Sequence, residues 1–484
     1  MAGHSHLRLP ADEPGDFAGK SQRLAGVAKI AAGAGLVLAL ILGFIPGDEF
    51  KRFFYSYLAA WGFFLAISLG AIFFVLTQHV SRAGWSVNVR RVAEMLAALM
   101  PALSILSLPI FVAVLMHRGD LYRWALPMSA AEPAETRTAE HPSAVKDEKH
   151  ELAASKEQEE LASTAGNQQI DPVKNWKVDE EFRHEQDPGP GKRHIDEIML
   201  KKRVWLNPWF FCLRLVIYLG LWSWISVYYL KQSTLQDADG DYRHTSQMQK
   251  YSGVSLVFYG LTLTLAAWDL FMSLDAHWFS TMFGVYYFAG GVVSFFAALI
   301  LIISLLQRAG FLKEAVTIEH YHDMGKYLFA FTFFWGYVSF AQYMLIWYSS
   351  IPEEVTWWAR RGAKTGGNVP SNGQNWIPWA VMVLFCCLLI PFAGLLSRHV
   401  KRNTKSIVFW AVWQLMFQFT NVVWIVLPEL RELSFPWMAL IHTIVAAVGI
   451  GGVLVLAWLK LAGRSKLRPV NDPRVFESAA FVNM

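Results

Sequence analysis

The sequence predicts an all-α, polytopic membrane protein with about ten transmembrane helices. Hydrophobic residues make up 54% of the 484 residues and charged residues only 17%, a balance too apolar for a soluble chain of this length. The apolar residues fall into runs of about 20, which cross a hydrocarbon core of about 30 Å at helical rise. Backbone groups in lipid must be satisfied internally, so spans of this length are helices.

Ten apolar runs define the predicted spans. They cover residues 25–46, 53–77, 92–116, 208–230, 252–273, 281–306, 325–349, 377–397, 405–427 and 436–459. The first three lie within 25–116 and the other seven within 208–460, separated by a polar connection at 117–207. Residues 1–24 and 461–484 are polar tails. The N-terminal tail lacks the pattern of a signal peptide, so we expect the first helix to be retained.

Lysine and arginine accumulate in alternate connections. The clusters are Arg82, Arg90 and Arg91; Lys231, Arg243 and Lys250; Arg308 and Lys313; Arg398, Lys401, Arg402 and Lys405; and Lys460, Arg464, Lys466, Arg468 and Arg474. By the positive-inside rule these connections and both termini are cytoplasmic, and 117–207 lies outside. Arg360, Arg361 and Lys364 are the exception. Within the long connection, 130–166 predicts a mobile segment or a loose polar helix.

Ionisable side chains inside a span cost several kcal/mol unless they are paired or hydrated, so each is a candidate functional residue. Arg214 in the fourth span and Asp269 in the fifth lie at similar depth, which allows them to pair. A structural ion pair and a quinol or proton site are equally favoured interpretations. For His442 in the tenth span, a hydrogen bond between helices is favoured over a functional role.

Polar residues also define one face of the ninth span. Gln414, Gln418 and Asn421 are spaced four and three residues apart, and Gln342 of the seventh span lies at comparable depth. Hydrogen bonding between helices is the favoured interpretation, and a polar path through the membrane is the alternative.

Asp269, Asp275 and His277 form a run of carboxylates and imidazole beside aromatic residues at the outer end of the fifth span. These groups have the chemistry to accept protons from a quinol and release them outward. A boundary loop with a helix cap and a tryptophan anchor is equally favoured.

A second charged motif precedes the seventh span on the opposite side. It contains Glu319, His320, His322, Asp323 and Lys326. Such a cluster has the chemistry to gather protons at a channel mouth or to bind a metal adventitiously. Helix capping and surface charge are the favoured interpretation.

Several common cofactor patterns are missing from the sequence. Cys212, Cys386 and Cys387 lie in predicted spans without metal-type spacing, so no metal or iron-sulfur site is expected. Only His442 is a truly interior histidine, which argues against bound haem. We find no nucleotide-binding glycine motif and no pair of interrupted helices in matching positions, which disfavours a secondary transporter. Nucleic acid is not expected as a partner.

Five strings of the sequence are distinctive when taken together: Leu121–Trp124, Leu206–Phe211 with Arg214, Trp268–Thr281, His320–Lys326 and Gln342–Glu354. They resemble the ActF-type membrane subunit of bacterial alternative complex III, a quinol:cytochrome c oxidoreductase. The resemblance covers most of the chain from about residue 50 to residue 460, and the joint occurrence of the strings is specific.

The resemblance implies a fold similar to the polysulfide-reductase membrane subunit, with two four-helix bundles and one peripheral helix at each end. It also implies a bacterial inner membrane, and a chain without haem, iron-sulfur cluster or other covalently bound cofactor that works at the level of quinol or menaquinol. The implied partners are a homologous ten-helix subunit with a quinol site, an iron-sulfur subunit, multihaem and monohaem cytochromes c and a terminal oxidase, besides membrane lipids.

We therefore expect an integral subunit of a quinol-oxidising respiratory complex, with a quinol-binding, proton-coupling or supporting role and not catalytic alone. The candidate quinol or proton site comprises Arg214, Asp269, Asp275, His277 and His442. The candidate proton path comprises Glu319, His320, His322, Asp323, Lys326, Gln342, Gln414, Gln418 and Asn421. A secondary transporter that uses Arg214 and Asp269 and a purely structural scaffold are the alternatives.

Overall fold

Ten long apolar helices build the protein in the computed structural model, which confirms the predicted fold class. The structure describes residues 17–44, 50–126, 197–349, 351–362, 376–430 and 436–482, and no strand occurs among them. The long helices, numbered α1 to α10, are Phe17–Gly43, Lys51–Val80, Val87–Leu115, Pro208–Asp239, Tyr242–Leu270, Phe283–Arg308, Ile318–Ser349, Ile377–Leu396, Thr404–Val426 and Trp437–Ala462. Each is long and apolar enough to cross a membrane.

Helices α4, α5 and α7 extend beyond their predicted spans because polar residues by themselves do not end a helix. Helix α4 continues to Asp239, where Gly240 adopts a left-handed conformation with φ 71° and stops it. Helix α5 then begins at Tyr242, and its cap Asp241 accepts a hydrogen bond from the backbone nitrogen of Arg243 at 2.8 Å.

The helices form two four-helix bundles, each closed in a ring. In the first bundle α2 and α4 each pack against both α3 and α5, and in the second bundle α6 and α8 each pack against both α7 and α9. The two bundles meet along α2 and α6, with further contacts between α5 and α6 and between α2 and α9. The peripheral helices at the two ends of the chain, α1 and α10, pack against each other and against α2.

Helices α2 and α6 occupy the centre of the molecule, and their backbones touch. A Cβ atom added to Gly70 would lie 2.7 Å from the carbonyl oxygen of Gly291, and one added to Gly291 would lie 2.9 Å from that of Ala66. Small residues let membrane helices approach this closely and pack over a large area. The hydroxyl of Tyr287 also donates to the Gly62 carbonyl across the same interface at 2.6 Å.

Two helices are irregular. Helix α3 consists of the segments Val87–Ala97, Met100–Leu106 and Leu108–Leu115, and α8 contains a π-helical turn at Phe385–Leu389. Prolines inside both helices remove backbone donors, which accounts for the local distortion. Backbone hydrogen bonds continue across both junctions between the segments of α3, so the three segments form one span. The distorted helices are the second of one bundle and the third of the other, so they do not occupy matching positions.

The two ends of the molecule carry different connections. The loop end carries the connections between α1 and α2, α3 and α4, α5 and α6, α7 and α8, and α9 and α10; the tail end carries the other connections and the C-terminal tail, residues 463–482. The tail folds back over the first bundle, where Asp472 pairs with Arg90 and the Ser478 hydroxyl donates to the Trp85 carbonyl at 2.8 Å. The predicted insertion at 130–166 lies outside the described residues.

The contact between α2 and α6 gives a stability prediction. We expect Gly70→Leu to lower the free energy of unfolding by about 2 kcal/mol or more, because the new side chain collides with the backbone of α6. Thermal unfolding of the detergent-purified protein measures the effect. Gly220→Leu is the matched control, since a Cβ at that position of α4 meets nothing within 4 Å. Equal stability of the two variants would contradict the account of this interface.

Candidate functional site

Arg214 and Asp269 form a buried, two-pronged ion pair between α4 and α5 at the loop end of the first bundle. Arg214 Nε donates to Asp269 Oδ2 and Arg214 Nη2 donates to Asp269 Oδ1, both at 2.8 Å. The predicted proximity of the two residues is therefore seen in the fold. Bidentate geometry makes such a pair strong and fixes the relative position of the two helices.

The remaining hydrogen-bonding capacity of this pair is also used. Asp269 Oδ1 accepts from Trp205 Nε1 at 2.9 Å, and Asp269 Oδ2 accepts from the Tyr218 hydroxyl at 3.0 Å. Arg214 Nη1 donates to the Trp205 carbonyl at 3.0 Å, and its guanidinium stacks on the rings of Trp205 and Phe210. Each carboxylate oxygen thus has two donors. This geometry favours the structural interpretation of the pair, while a role in quinol chemistry stays a prediction.

Two aromatic residues that precede the long connection, Tyr122 and Trp124, pack against the end of α5 close to this pair. The Tyr122 hydroxyl donates to the Leu270 carbonyl at 2.9 Å, and Trp124 Nε1 donates to the Ser273 carbonyl at 3.1 Å. Burial, and to a smaller degree the nearby Asp269, raises the pKa of Tyr122 well above its ordinary value. Tyr122 is therefore a neutral hydrogen-bond donor at physiological pH, which suits its position at the end of α5.

Asp275 and His277 lie in the turn after α5, as the sequence motif predicts. Asp275 is buried and accepts a hydrogen bond from the backbone nitrogen of His277 at 3.2 Å. His277 Nδ1 is 4.0 Å from Asp275 Oδ1, and the imidazole side chain is 32% exposed. The structure therefore brings these two groups together at the surface of the loop end, in a turn that their own hydrogen bond stabilises.

A second buried ion pair, which sequence reasoning missed, lies at the loop end of the second bundle. Arg361 Nη2 is 2.9 Å from Glu429 Oε1, and Arg361 Nη1 donates to the Trp357 carbonyl at 3.0 Å. The guanidinium lies over the Trp357 ring at 3.4 Å and faces Trp424 at 5.4 Å. The sequence did contain a signal for this pair: Arg360, Arg361 and Lys364 are the exception to the charge pattern of the connections. A buried cation among them requires a partner of opposite charge.

The two loop-end pairs occupy corresponding positions in the two bundles. Arg214 lies in the first turns of α4. Arg361 follows the short helix Pro352–Arg360, and its carbonyl accepts a hydrogen bond from the backbone nitrogen of Trp376 at the start of α8 at 3.2 Å. Asp269 lies at the end of α5, and Glu429 lies in the 3-10 turn that follows α9. In both sites a tryptophan ring stacks on the guanidinium. Each bundle is thus closed at the loop end by the same combination of ion pair and cation–π contact.

The tail end of the first bundle holds a third charged cluster that sequence reasoning did not single out. Arg91 Nη2 donates to Asp237 Oδ2 at 2.7 Å and Arg91 Nε donates to Glu94 Oε2 at 3.1 Å. Arg91 Nη2 also lies 2.9 Å from the Ser233 hydroxyl. These contacts join α3 to the extended part of α4. The basic residues that served as a topology signal are therefore buried and paired, and the C-terminal tail covers them.

The predicted cluster at the start of α7 lies at the tail end of the second bundle. Glu319 pairs with Arg402, whose Nη1 donates to Glu319 Oε2 at 2.9 Å, and Asp323 pairs with Lys326. His320 is buried, with Nδ1 3.0 Å from the Thr317 hydroxyl. Each carboxylate of the motif is therefore engaged by a cation, which agrees with a capping and surface-charge role.

His320 also touches the C-terminal tail. Its Nε2 lies 3.2 Å from the Ser478 hydroxyl, and its ring contacts Phe481. His322, two residues further along α7, is buried as well. Residues two apart point to different sides of a helix, so the two histidines of the motif have different surroundings.

The polar face predicted on α9 is buried in the core of the second bundle. Gln414 Nε2 donates to the Thr332 hydroxyl at 2.9 Å, and Asn421 Nδ2 donates to Gln418 Oε1 at 3.2 Å. The Tyr286 hydroxyl donates to Asn421 Oδ1. The face therefore links α6, α7 and α9 by hydrogen bonds between neutral side chains, as interhelical hydrogen bonding predicts.

Hydrogen bonding along this face is incomplete among the described residues. Gln342 Oε1, Gln414 Oε1, Gln418 Nε2 and Trp335 Nε1 are buried and have no protein partner within hydrogen-bonding distance. Two of these side chains converge, since a Cβ added to Gly290 would lie 3.1 Å from Gln418 Oε1 and 3.5 Å from Trp335 Nε1. A buried polar atom without a partner costs about 1–3 kcal/mol, so water or a ligand is expected to bond these atoms.

His442 is buried in α10, the helix that packs on α1 and α2. It therefore belongs to neither four-helix bundle. Its place differs from that of the other predicted outer-side residues, which lie between α4 and α5 or in the turn after α5.

Within the described ranges, no group of three histidine, cysteine, aspartate or glutamate side chains comes together as a set that holds a metal ion. Comparison with known proteins adds no assignment: the chain matches no protein-family model, and no curated protein matches it significantly. The geometry of the bundles and their polar groups is therefore the basis for the function proposed below.

The saturated pair in the first bundle gives a second stability prediction. We expect Asp269→Asn to lower the free energy of unfolding by about 3 kcal/mol, because Arg214 is then left buried without its counter-charge. The double variant Arg214→Met/Asp269→Leu should regain most of this loss. Glu314→Gln, at an exposed carboxylate of the connection between α6 and α7, is the control for thermal unfolding. A double variant no more stable than the single one would refute the structural interpretation.

Proposed function

We propose that this chain is an integral membrane subunit of a quinol-oxidising respiratory complex of the alternative complex III type. The ten apolar helices make it an integral membrane protein. The observation that carries the proposal is the polar face of α9, where neutral side chains are buried in the second bundle with incomplete hydrogen bonding. The strings that resemble the ActF-type subunit support the same assignment.

The chemistry of the α9 face suits a neutral ligand. Amide and phenol groups donate and accept hydrogen bonds, and an indole donates them, all without adding charge. Gln414, Gln418 and Asn421 of the face provide such groups, together with Tyr286 of α6 and Trp335 of α7, which lie beside it. A quinol or menaquinol has a neutral head with hydroxyl groups and an apolar tail. Ordered water molecules that pass protons to or from such a head would use the same groups.

The proposed role assigns the loop-end ion pairs to structure. Asp269 accepts four hydrogen bonds from protein donors, so binding a further ligand would require breaking some of them. The same saturation argues against a secondary transporter that uses Arg214 and Asp269 as its substrate pair. It also favours a supporting scaffold as the second candidate function, in which the chain holds its partner subunits in the bilayer.

The proposed location is the bacterial inner membrane, with both tails in the cytoplasm and the long connection in the periplasm. The lysine and arginine clusters in the tail-end connections support this orientation. Arg361, an exception in the sequence, is buried against Glu429, as Arg90 and Arg91 are buried against carboxylates at the tail end. The orientation is therefore supported mainly by exposed cations, among them Lys231, Lys250, Arg398 and Lys405.

The proposed partners follow from the resemblance to the ActF-type subunit. They are a homologous ten-helix subunit with a quinol site, an iron-sulfur subunit, multihaem and monohaem cytochromes c and a terminal oxidase. Electron transfer would take place in these partners. The contribution of this chain would be to shape the membrane part of the complex and to hold a quinol head or protons at the α9 face.

Membership of a complex is tested by isolation from its native membrane in mild detergent. We expect the chain to co-purify with haem c and with iron-sulfur protein, detected by absorption and electron paramagnetic resonance spectra. A chain that purifies alone and transports a solute in vesicles would refute the proposal.

The α9 face is tested by Gln418→Leu in the assembled complex. We expect quinol:cytochrome c turnover to fall roughly tenfold or more, because the variant removes a buried hydrogen-bonding group. Thr420→Val is the matched control on the same helix, since that hydroxyl donates to the carbonyl of Phe417 in its own helix at 2.7 Å. Normal assembly and full turnover of Gln418→Leu would leave the scaffold as the better assignment.

A further inference from the structure

A stripe of cationic and aromatic side chains runs along one face of α7 at the tail end of the second bundle. His322, Lys326, Phe329 and Phe333 recur at intervals of four, three and four residues, so they lie on one side of the helix. The face begins with charge at the helix start and continues with aromatic rings towards the middle of the span. Basic groups followed by aromatic rings match the head group and the apolar chain of a lipid.

The connection between α8 and α9 adds further cations at the top of this stripe. It contributes Arg398, Lys401 and Arg402, and Lys405 follows in the first turn of α9. Lys401 lies closest to the aromatic part: its ammonium is 5.1 Å from the centre of the Phe329 ring and donates to the Leu395 carbonyl at 2.7 Å. Burial, with a smaller effect of Lys326, lowers the pKa of Lys401 from its ordinary value.

Positive charge is in excess at this site. The segments 318–326 and 397–405 contain five lysine or arginine residues but only two carboxylates, Glu319 and Asp323. The start of α9 adds the positive end of a helix dipole, with Asn403 as its cap. His322 Nδ1 is buried there without a hydrogen-bond partner among the described residues.

The tail end of the first bundle provides an internal contrast. Its arginines are neutralised by Glu94, Asp237 and Asp472, and the C-terminal tail covers them. In the second bundle the described part of the tail reaches His320, whereas Arg398 and Lys405 stay exposed. The cations at the junction of α7, α8 and α9 thus include side chains that are more exposed than Arg90 and Arg91.

Below these cations, an apolar surface continues into the membrane. The rings of Phe329 and Phe392 stack at 5.3 Å, and Phe392 contacts Phe333 at 5.8 Å, which bridges α7 and α8. Phe333 is 55% exposed and Leu396, at the end of α8, is 61% exposed. Such a surface accommodates an acyl chain that hangs from a head group held by the cations.

We propose that the junction of α7, α8 and α9 binds an anionic phospholipid, with its phosphate among Lys326, Arg398 and Lys405 and an acyl chain along Phe329, Phe392 and Phe333. Charge complementarity at the membrane boundary selects an anionic head group. The apolar ladder directly below selects a lipid over free phosphate. The site is independent of the quinol-level function and adds a specific lipid contact to the second bundle.

The test uses the full-length protein purified in detergent and titrated with dioleoylphosphatidylglycerol or dioleoylphosphatidylcholine, with bound lipid counted by native mass spectrometry. We expect saturable binding of the anionic lipid, weakened roughly tenfold or more in Arg398→Gln/Lys405→Gln. Phe333→Ala should weaken binding without changing net charge. Lys231→Gln/Lys250→Gln is the matched control, because it removes two exposed cations at the tail end of the first bundle.

Four outcomes overturn the proposal. Equal binding of the two lipids, or an equal loss in both double variants, would mean that no specific head-group site exists. Competition by inorganic phosphate with no effect of Phe333→Ala would identify a free-phosphate site instead. Another polypeptide covering Arg398 and Lys405 in the native complex would assign the surface to a protein partner. Thermal unfolding of each variant shows whether lost binding reflects lost folding.

Discussion

The fold depends on one constraint: a charged group buried in this apolar molecule must lie beside a group of opposite charge. Arg214 and Asp269 satisfy each other with help from Trp205 and Tyr218, and so fix α4 to α5. Arg361 and Glu429 close the second bundle in the corresponding place. Because an isolated buried charge is so costly, these pairs specify which helix ends meet. The apolar contacts, among them the backbone contact of α2 and α6, then set how closely the helices approach.

The two bundles share this architecture but differ in what remains open. The first bundle is closed by ion pairs at both ends, and the C-terminal tail covers its tail end. The second bundle has the closed pair at the loop end, a neutral polar face with incomplete hydrogen bonding in its core, and exposed cations at the tail end. Buried polar atoms without a hydrogen-bond partner occur in the first bundle as well, at Gln78 Oε1, His79 Nε2 and Glu94 Oε1. The α9 face differs because its polar side chains are all neutral, and this is why we propose it as the place of quinol-level chemistry.

The sequence predicts the ten spans well because hydropathy reports directly which residues face lipid or other helices. It also brings Arg214 and Asp269 to the same depth, since consecutive antiparallel helices share their ends. The pair of Arg361 and Glu429 was missed because both residues lie outside the predicted spans, where a charged residue is expected to face water. The π-helical turn of α8 and the unpartnered atoms beside Gln418 depend on packing in three dimensions, which periodicity does not encode. Hydropathy marks only the apolar parts of α4 and α5. It does not show that both helices continue beyond the membrane, because polar residues also form helices in water.

The central claim is that the buried polar face of α9 is bonded to water or a quinol head. A high-resolution cryo-electron microscopy map of the protein in lipid nanodiscs, prepared with native quinol, tests it most directly. The account predicts ordered density within hydrogen-bonding distance of Trp335 Nε1 and Gln418 Nε2. A dry interface, in which these side chains rotate to bond each other or the backbone and no density intervenes, would contradict it.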